Sequence, residues 1–485
     1  MRDEDDKDIT ITGLLSTMET ILFSMEGEGR SEVQFALEPV ILQAIHHIFT
    51  NSILEYYEEA ISLSGHLTRN RISSDMWRML GVMYNEFQRD EFDLDFFSDM
   101  MPVLHNYITV DTQTFLSSPD YMMAMYNMCK TMLEGDPGED LECFAAKLLE
   151  VIILQCKGMN IDQAIPIIVE LVLKRLAREG RPFKTSELRT MCLMVIIAAL
   201  YYNPTLLLDI MEKIQIPGIQ DGVFRHFLHQ WTGHARTFLG IHDRKLSILG
   251  LVLLLQMPDN VTVKEQAKSL VPIILNLFEG LTRAYDAADD PDDDDDDDDG
   301  DSDESNSDSE AAGGESSFSR ARKALLSNED EDNKVEEAGH LEGYTTPLDD
   351  NAYDIDEYTI FYNVLGSIQK SHPAWHARLT GRLSEQTSNV LNKVLTLAEA
   401  RSHARVLRQE EKAGKPLSQE KQRKRTLSQK DQRELCPNPK ARRWAHKFLL
   451  KFTRVSGAIA PSGSGPKVGS PTYCQVSPSD DSPWD

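Results

Sequence analysis

Eight adjacent carboxylates, Asp292, Asp293, Asp294, Asp295, Asp296, Asp297, Asp298 and Asp299, stand between Pro291 and Gly300. No packed core accommodates such a run, because each buried unpaired charge carries a large desolvation penalty. The chain must therefore fold on either side of a solvated acidic segment. The charge ledger agrees. Residues 286–357 hold 29 Asp/Glu against four Lys/Arg, residues 401–454 hold 17 Lys/Arg against five Asp/Glu, and residues 1–285 hold 24 basic and 39 acidic side chains. The net charge of −28 is thus a mildly acidic body, a strongly acidic segment and a basic tail.

Residues 9–283 read as helix after helix. Leu188, Met191, Cys192, Val195, Ala199 and Tyr202 follow the i, i+3, i+4, i+7 spacing of an amphipathic helix, as do Leu141, Phe144, Ala145, Leu148 and Ile152. Ser118-Pro119 and Asn203-Pro204 each place a capping side chain before a proline at the first helical position. Gly135, Gly158 and Gly180 follow apolar stretches as C-terminal stops. The pattern predicts roughly a dozen helices of about 20 residues, with short connections and no strand. Four segments share an apolar-proline-aliphatic phrase centred on Pro39, Pro102, Pro166 and Pro272. Their spacings of 63, 64 and 106 residues suggest degenerate HEAT-type repeats of about 40–47 residues, with bends at the prolines. The expected fold class is all-α, a HEAT-repeat superhelical solenoid with an acidic disordered insertion and a disordered basic tail. Residues 1–285 are HEAT-like repeats, 286–340 an acidic disordered loop, 341–411 C-terminal helices completing the solenoid, and 412–485 a basic, then Pro/Gly/Ser-rich tail. Within the third region, helices are expected at Glu357–Ile368 and about Thr387–Arg408.

Catalytic chemistry has no foothold in these residues. No G-x-x-x-x-G-K-[ST], H-E-x-x-H or G-x-S-x-G occurs, and Gly463-Ser-Gly465-Pro-Lys-Val468 lacks the last glycine of a dinucleotide fingerprint. His226, His229 and His234 have an H-x2-H-x4-H spacing, but no Cys or paired carboxylate stands nearby to complete a zinc site. They read as polar-face and interhelical histidines, and the adjacent His46 and His47 point to different faces. Cys129, Cys143, Cys156 and Cys192 lie in apolar helical patterns, Cys436 and Cys474 elsewhere, and no C-x-x-C pair occurs; this fits reduced thiols. The expectation is a protein that is not an enzyme, with no cofactor and no metal. The chain opens on Met1-Arg-Asp-Glu-Asp-Asp without an apolar leader. Its longest apolar runs, Met191–Tyr202 and Leu246–Leu255, fall short of the ~18–20 residues a membrane span needs. A soluble intracellular protein is expected.

The sharpest local feature remains the acidic segment. Mobile carboxylates attract Lys/Arg-rich proteins quickly and let them go, and they repel nucleic acid and anionic membrane. The candidate contacts for a basic ligand are the eight aspartates 292–299 with Asp301, Asp303 and Glu304; a solvated spacer is the plainer reading of the same run. Ser305 and Ser307 each have an acidic residue three positions on, Asp308 and Glu310, which makes them candidate phosphorylation sites. The tail carries Lys421-Gln-Arg-Lys-Arg425 and Lys440-Ala-Arg-Arg-Trp-Ala-His-Lys447. It reads as a solvated tail, a nuclear localisation signal, a nucleic-acid patch, or an intramolecular partner of the acidic segment.

Several longer phrases occur together and in order. They are Met100-Met-Pro-Val-Leu-His-Asn-Tyr-Ile108, Leu148-Leu-Glu-Val-Ile-Ile-Leu-Gln-Cys-Lys-Gly158, Lys184-Thr-Ser-Glu-Leu-Arg-Thr-Met-Cys192 with Ala198-Ala-Leu-Tyr-Tyr-Asn-Pro204, and His242-Asp-Arg-Lys245. An acidic loop follows, and then Thr346-Pro-Leu-Asp and Asp356-Glu-Tyr. Over roughly residues 9–408 this order resembles the C-terminal half of the importin seven and importin eight branch of the importin-β (karyopherin-β) nuclear transport receptors. The resemblance implies a HEAT-repeat superhelix that binds basic cargo such as ribosomal proteins and histones, and phenylalanine-glycine nucleoporins. It implies Ran bound to GTP as a partner of the full-length family member, through N-terminal repeats absent here, and importin-β as a further partner. It also implies shuttling between cytoplasm and nucleus through the nuclear envelope. Met1 opens into a repeat with no polar capping helix, so a fragment, a short isoform or a truncated gene model is expected. The tail beyond about Lys412 departs from the family pattern.

Two functions of different class follow: a nuclear transport receptor region, and a helical scaffold or acidic chaperone that buffers basic proteins without crossing pores. If the basic tail folds back on the acidic segment, deleting residues 412–485 raises affinity for a basic ligand; unchanged affinity in a binding titration excludes that contact.

Overall fold

A computed structural model describes residues 2–24, 31–288, 341, 343–350 and 355–412 of the chain. The chain divides into two units, Met1–Arg425 and Thr426–Asp485, and every described residue belongs to the first. Among the described residues there are 17 α-helices and no strand. The first seven are α1 (Arg2–Ser24), α2 (Ser31–Thr50), α3 (Tyr57–Thr68), α4 (Ser74–Phe87), α5 (Phe96–Thr109), α6 (Thr112–Ser117) and α7 (Pro119–Glu134). Next come α8 (Glu139–Gln155), α9 (Ile165–Leu176), α10 (Ser186–Tyr202), α11 (Pro204–Lys213), α12 (Val223–Gly233), α13 (Ile241–Leu255) and α14 (Val261–Ala288). Beyond the acidic segment lie α15 (Glu357–Ser371), α16 (Pro373–Thr380) and α17 (Glu385–Lys412). The helices before the acidic segment are more numerous and shorter than the periodicity suggests, from 6 to 28 residues. Caps and tight turns interrupt apolar runs that read as continuous in sequence.

The helices stack in two layers. One runs α1, α3, α5, α8, α10, α13, α15, α17, and the other α2, α4, α7, α9, α11, α12, α14, α16, each helix packing on the next in its layer. Side-chain hydrogen bonds between neighbouring repeats give the period. Asn127 reaches Tyr84 across 43 residues, Gln155 reaches Thr112 across 43, Thr185 reaches Glu139 across 46, and Arg401 reaches Asp356 across 45. That is the HEAT-type repeat of about 40–47 residues. The prolines do not mark equivalent positions. Pro39, Pro102 and Pro272 lie inside helices, Pro166 opens α9, and Pro102 belongs to the other layer from the remaining three.

Local signals act as the residue types require. Ser118 accepts a hydrogen bond from Asp120 N at the start of α7, and Asn203 accepts one from Leu206 N at 3.1 Å at the start of α11, each before a proline. Gly158 and Gly180, in turns just past α8 and α9, take φ of 86° and 82°. The amphipathic reading of α10 is corrected by its surroundings. Leu188 and every residue from Thr190 to Leu200 are buried, because α8 and α13 flank the helix while α9 and α11 pack from the second layer. A helix apolar all round is a buried helix, and the 3.6 spacing described only one of its faces.

Charge sits at the joints as well. Glu139, at the start of α8, accepts hydrogen bonds from Lys184 N, Thr185 N and Thr185 Oγ1, each at 2.7 Å, and so fixes the entry of α10. Burial raises its pKa, and these bonds with the nearby Arg175 more than reverse that. Arg175, fully buried, pairs with Glu142 and stacks on Phe183 at 4.5 Å.

Where α13 meets α10, Gly250 leaves no room. A Cβ there would stand 2.7 Å from Ile197 Cγ2 and 2.9 Å from Trp231 Cη2, whereas one at Gly81 would meet nothing within 4 Å. We expect Gly250→Val to cost about 1–3 kcal/mol in thermal denaturation, and Gly81→Ala to be neutral or stabilising by up to about 1 kcal/mol.

Candidate functional site

The acidic aspartates 292–299, Asp301, Asp303, Glu304, Ser305 and Ser307 lie outside the described residues, as do Cys436, Cys474 and the basic clusters of the tail. What is described is the point where the chain returns. Residues 343–350 form a strap laid against α5, α8 and α13, and the candidate site is the seat that holds it.

The seat is built by helical spacing. Lys147 and Glu150 share a face of α8 as an i, i+3 pair, with Nζ 3.0 Å from Oε2. His242 and Lys245 have the same spacing on α13. Both α8 residues are buried, Lys147 4% exposed and Glu150 not at all. His242 sits between two carboxylates: Nε2 donates to Glu150 Oε1 at 2.6 Å, and Nδ1 donates to Asp349 Oδ1 of the strap at 2.8 Å. Lys245 Nζ donates to Leu348 O at 2.6 Å. Farther along, His105 Nε2 on α5 donates to Thr345 O at 2.8 Å, and the Tyr344 ring lies against His105 and Phe144 at centroid distances of 5.6 and 6.3 Å.

The strap is shaped by its own sequence. Asp349 Oδ2 accepts from Thr346 N at 2.8 Å and from Thr346 Oγ1 at 3.0 Å, while Asp349 N donates to Thr346 O at 2.9 Å. Threonine and aspartate around proline close such a turn by side chain-to-backbone bonds. The turn buries Thr346 and Leu348 and aims Asp349 at His242.

Geometry fixes the protonation states. A histidine facing two carboxylates must donate from both nitrogens, so His242 is an imidazolium. Burial works against that charge, but Asp349 and Glu150 overcome it and lift the His242 pKa to about 10. Burial likewise opposes the Glu150 carboxylate, yet Lys147 and His242 hold it down at about 2. Asp349 is driven well below the usual carboxylate range despite burial, chiefly by His242. Burial lowers the Lys147 pKa, and Glu150 and Asp349 raise it to a net increase. Two cations and two anions make a neutral set. His105 is pushed down by burial and stays neutral, with its Nε2 proton on Thr345 O.

Two of these partners are separated by 92 residues and two by 107, so no motif search would pair them. The available signal was narrower: Lys147 and Glu150 interrupt an otherwise apolar stretch of α8. The histidines singled out by spacing stay apart from this site. His226 and His229 are on α12, with the His226 pKa lowered by burial and then by His229. His234 is bound to Arg189 and to Gln230 O, and His46 and His47 are exposed on α2. Cys129, Cys143, Cys156 and Cys192 are free and buried, and burial pushes all four thiols up, Cys156 and Cys192 to about 12. No cluster among the described residues has the makings of a metal site, and no described helix is long and apolar enough to cross a membrane.

A second anchor follows the strap. Arg401 on α17 lies 3.3 Å from Asp356 and 3.7 Å from Glu357, and over the Tyr358 ring at 4.2 Å. Trp375 Nε1 on α16 donates to Leu255 O at 2.8 Å at the end of α13, and Phe278 of α14 packs on Tyr358 at 4.5 Å. The helices on both sides of the acidic segment therefore belong to one stack.

Stacked helical pairs of this period, joined by side-chain bonds between repeats, define a HEAT-type repeat scaffold. A family model described as "Importin-11-like, TPR repeats" matches residues 12–338. Importin-8 of Mus musculus is 42% identical over 410 residues, covering 82% of this chain and 40% of that protein. Importin-8 of Homo sapiens is 42% identical over 420 residues, 84% of this chain and 39% of that protein. The probable importin-7 homolog of Dictyostelium discoideum is 29% identical over 243 residues, 49% of this chain and 22% of that protein. No solved structure matches. The chain belongs to the importin-β family, in the importin-7 and importin-8 branch. It spans about 40% of the length of its importin-8 relatives.

The sign of the pH response follows from the seat. His242 is raised, so its contribution is complete below about 6.5 and is lost as pH climbs toward 10. Glu150 and Asp349 are lowered, so theirs is complete above about pH 5 and is lost on acidification. Amide protection of residues 343–350, corrected for intrinsic exchange, should peak between about pH 5 and 6.5 and fall on both sides.

Proposed function

We propose that this chain is a region of a nuclear transport receptor that binds basic cargo proteins and nucleoporins for protein import into the nucleus. One observation carries the reading: an importin-type helical stack holds the chain on both sides of its most acidic segment, through α14 and through the strap at Asp349. The described residues on either side of the segment are thus both held by the stack. Basic proteins such as ribosomal proteins and histones are the cargo this charge suits, with Asp292–Asp299, Asp301, Asp303 and Glu304 as the contacts. Phosphate on Ser305 or Ser307 would deepen the same field.

The family relationship supports phenylalanine-glycine nucleoporins and importin-β as further partners, with residence in cytoplasm, nucleus and nuclear envelope. Ran bound to GTP belongs, on this reading, to the N-terminal repeats of full-length relatives. A cleft whose lining includes Leu133 of α7, Leu171 of α9, and Ile216 and Pro217 beyond α11, rimmed by the charged Glu134, Lys174, Arg178 and Glu179, is a candidate place for a phenylalanine side chain.

A pull-down with phenylalanine-glycine repeats and a linker histone, at low and moderate salt, tests the proposal. We expect capture by both, with the histone arm weakening as salt rises. Histone binding without nucleoporin binding replaces the transport reading with an acidic chaperone. Ran loaded with GTP should bind this chain weakly or not at all.

A further inference from the structure

The strap is joined to the stack differently from the helices around it. Among the described residues, its backbone hydrogen bonds run within itself, from Tyr344 N to Leu341 O, Thr345 N to Gly343 O and Asp349 N to Thr346 O. The stack reaches it through the side chains of His105, His242 and Lys245. At the centre is Thr346, 4% exposed, followed by Pro347. Its Oγ1 donates to Asp349 Oδ2 and accepts from Leu348 N at 3.2 Å. One oxygen of Asp349 is thereby occupied, and the other is turned to His242 at 2.8 Å. The threonine hydroxyl orients the carboxylate on which the docking depends.

We propose that Thr346 is a phosphorylation site for a proline-directed kinase, and that phosphate on it releases the strap from its seat. In the reaction, Thr346 Oγ1 attacks the γ-phosphorus of a nucleoside triphosphate. The new O–P bond forms as the bond to the β-phosphate oxygen breaks, the nucleoside diphosphate leaves, and the hydroxyl proton passes to the kinase's base.

The product cannot occupy the same place. Phosphorylation removes the O–H that Asp349 accepts and adds a charge of about −1.5 to −2 beside that carboxylate. The cations of the seat are already engaged, Lys147 with Glu150, His242 with Glu150 and Asp349, and Lys245 with Leu348 O. Thr346 is also buried, with Leu348 N bonded to its oxygen, so a phosphate there would have to displace the packing and that bond. Access to the kinase comes from lifting of the strap. A segment tied to its support by a few side chains, without a backbone ladder, opens at less cost than a helix of the stack. Modification then traps the open form. Release of the strap is separable from cargo binding, because phosphate content and amide exchange report it directly.

The test treats the full chain with a kinase specific for Thr-Pro and magnesium nucleoside triphosphate, maps phosphate by mass spectrometry and follows exchange in residues 343–350. We expect phosphate on Thr346 and loss of strap protection, with the helices of the stack unchanged. Asp349→Asn, which loosens the strap but keeps Thr346-Pro347, should accept phosphate at least about tenfold faster. Thr346→Val, which already lacks the hydroxyl bond to Asp349, should show no further change in protection under the same treatment. Phosphate on Thr346 with protection intact overturns the proposal. So does the absence of phosphate on Thr346 in wild type, including the case where only Asp349→Asn is modified, since the strap would then not open by itself.

Discussion

A helix with no exposed face has to be covered on every side, and the middle of this stack contains three of them. α8, α10 and α13 are buried along most of their length, and the layer arrangement supplies their neighbours. Each large aliphatic side chain so covered contributes about 1.5–3 kcal/mol. For α8 and α13 the layers leave one side over, and that side carries Lys147, Glu150, His242 and Lys245. The strap closes it.

Closing a charged side is physically different from closing an apolar one. Lys147, Glu150, His242 and Asp349 form a neutral set in which every charge has an opposite partner within 3.0 Å. Replacing such a set by well-packed hydrophobes would be about as stable, whereas removing one member strands the rest at a cost of about 3–5 kcal/mol. The arrangement therefore adds register and a dependence on charge state more than it adds stability. It admits a strap with a carboxylate at position 349. Arg175 with Glu142 and Glu139, and Arg401 with Asp356 and Glu357, repeat the principle at other joints. Ion pairs tie neighbouring helices, while apolar area holds them together.

These joints also account for what the acidic segment can be. Its upstream side leaves α14, whose Phe278 packs on Tyr358 and Phe361 of α15. Its downstream side enters the seat on α8 and α13. The helices that follow complete the stack on α13 and α14, so the acidic run interrupts the repeat series in sequence while the series continues in space. Phrases that resemble one family in four separate places, around His105, Glu150, His242 and Thr346, meet at this one seat.

Local structure was legible wherever the deciding interaction is local. Ser118-Pro119 and Asn203-Pro204 start helices because an oxygen beside a proline satisfies a free amide within three residues, and glycine turns the chain past α8 and α9 because φ is positive there. The all-α class follows from the same periodicity. The reading failed where the deciding partner is distant. One apolar stripe on α10 cannot reveal that all its sides are covered, and the recurring prolines share a phrase without sharing a place in the repeat. The eight aspartates by themselves set only the expectation of a solvated segment, since no core repays that desolvation. Only the tertiary structure decided how the chain recovers from it, because the charges that seat Asp349 lie on α8 and α13, brought side by side by packing.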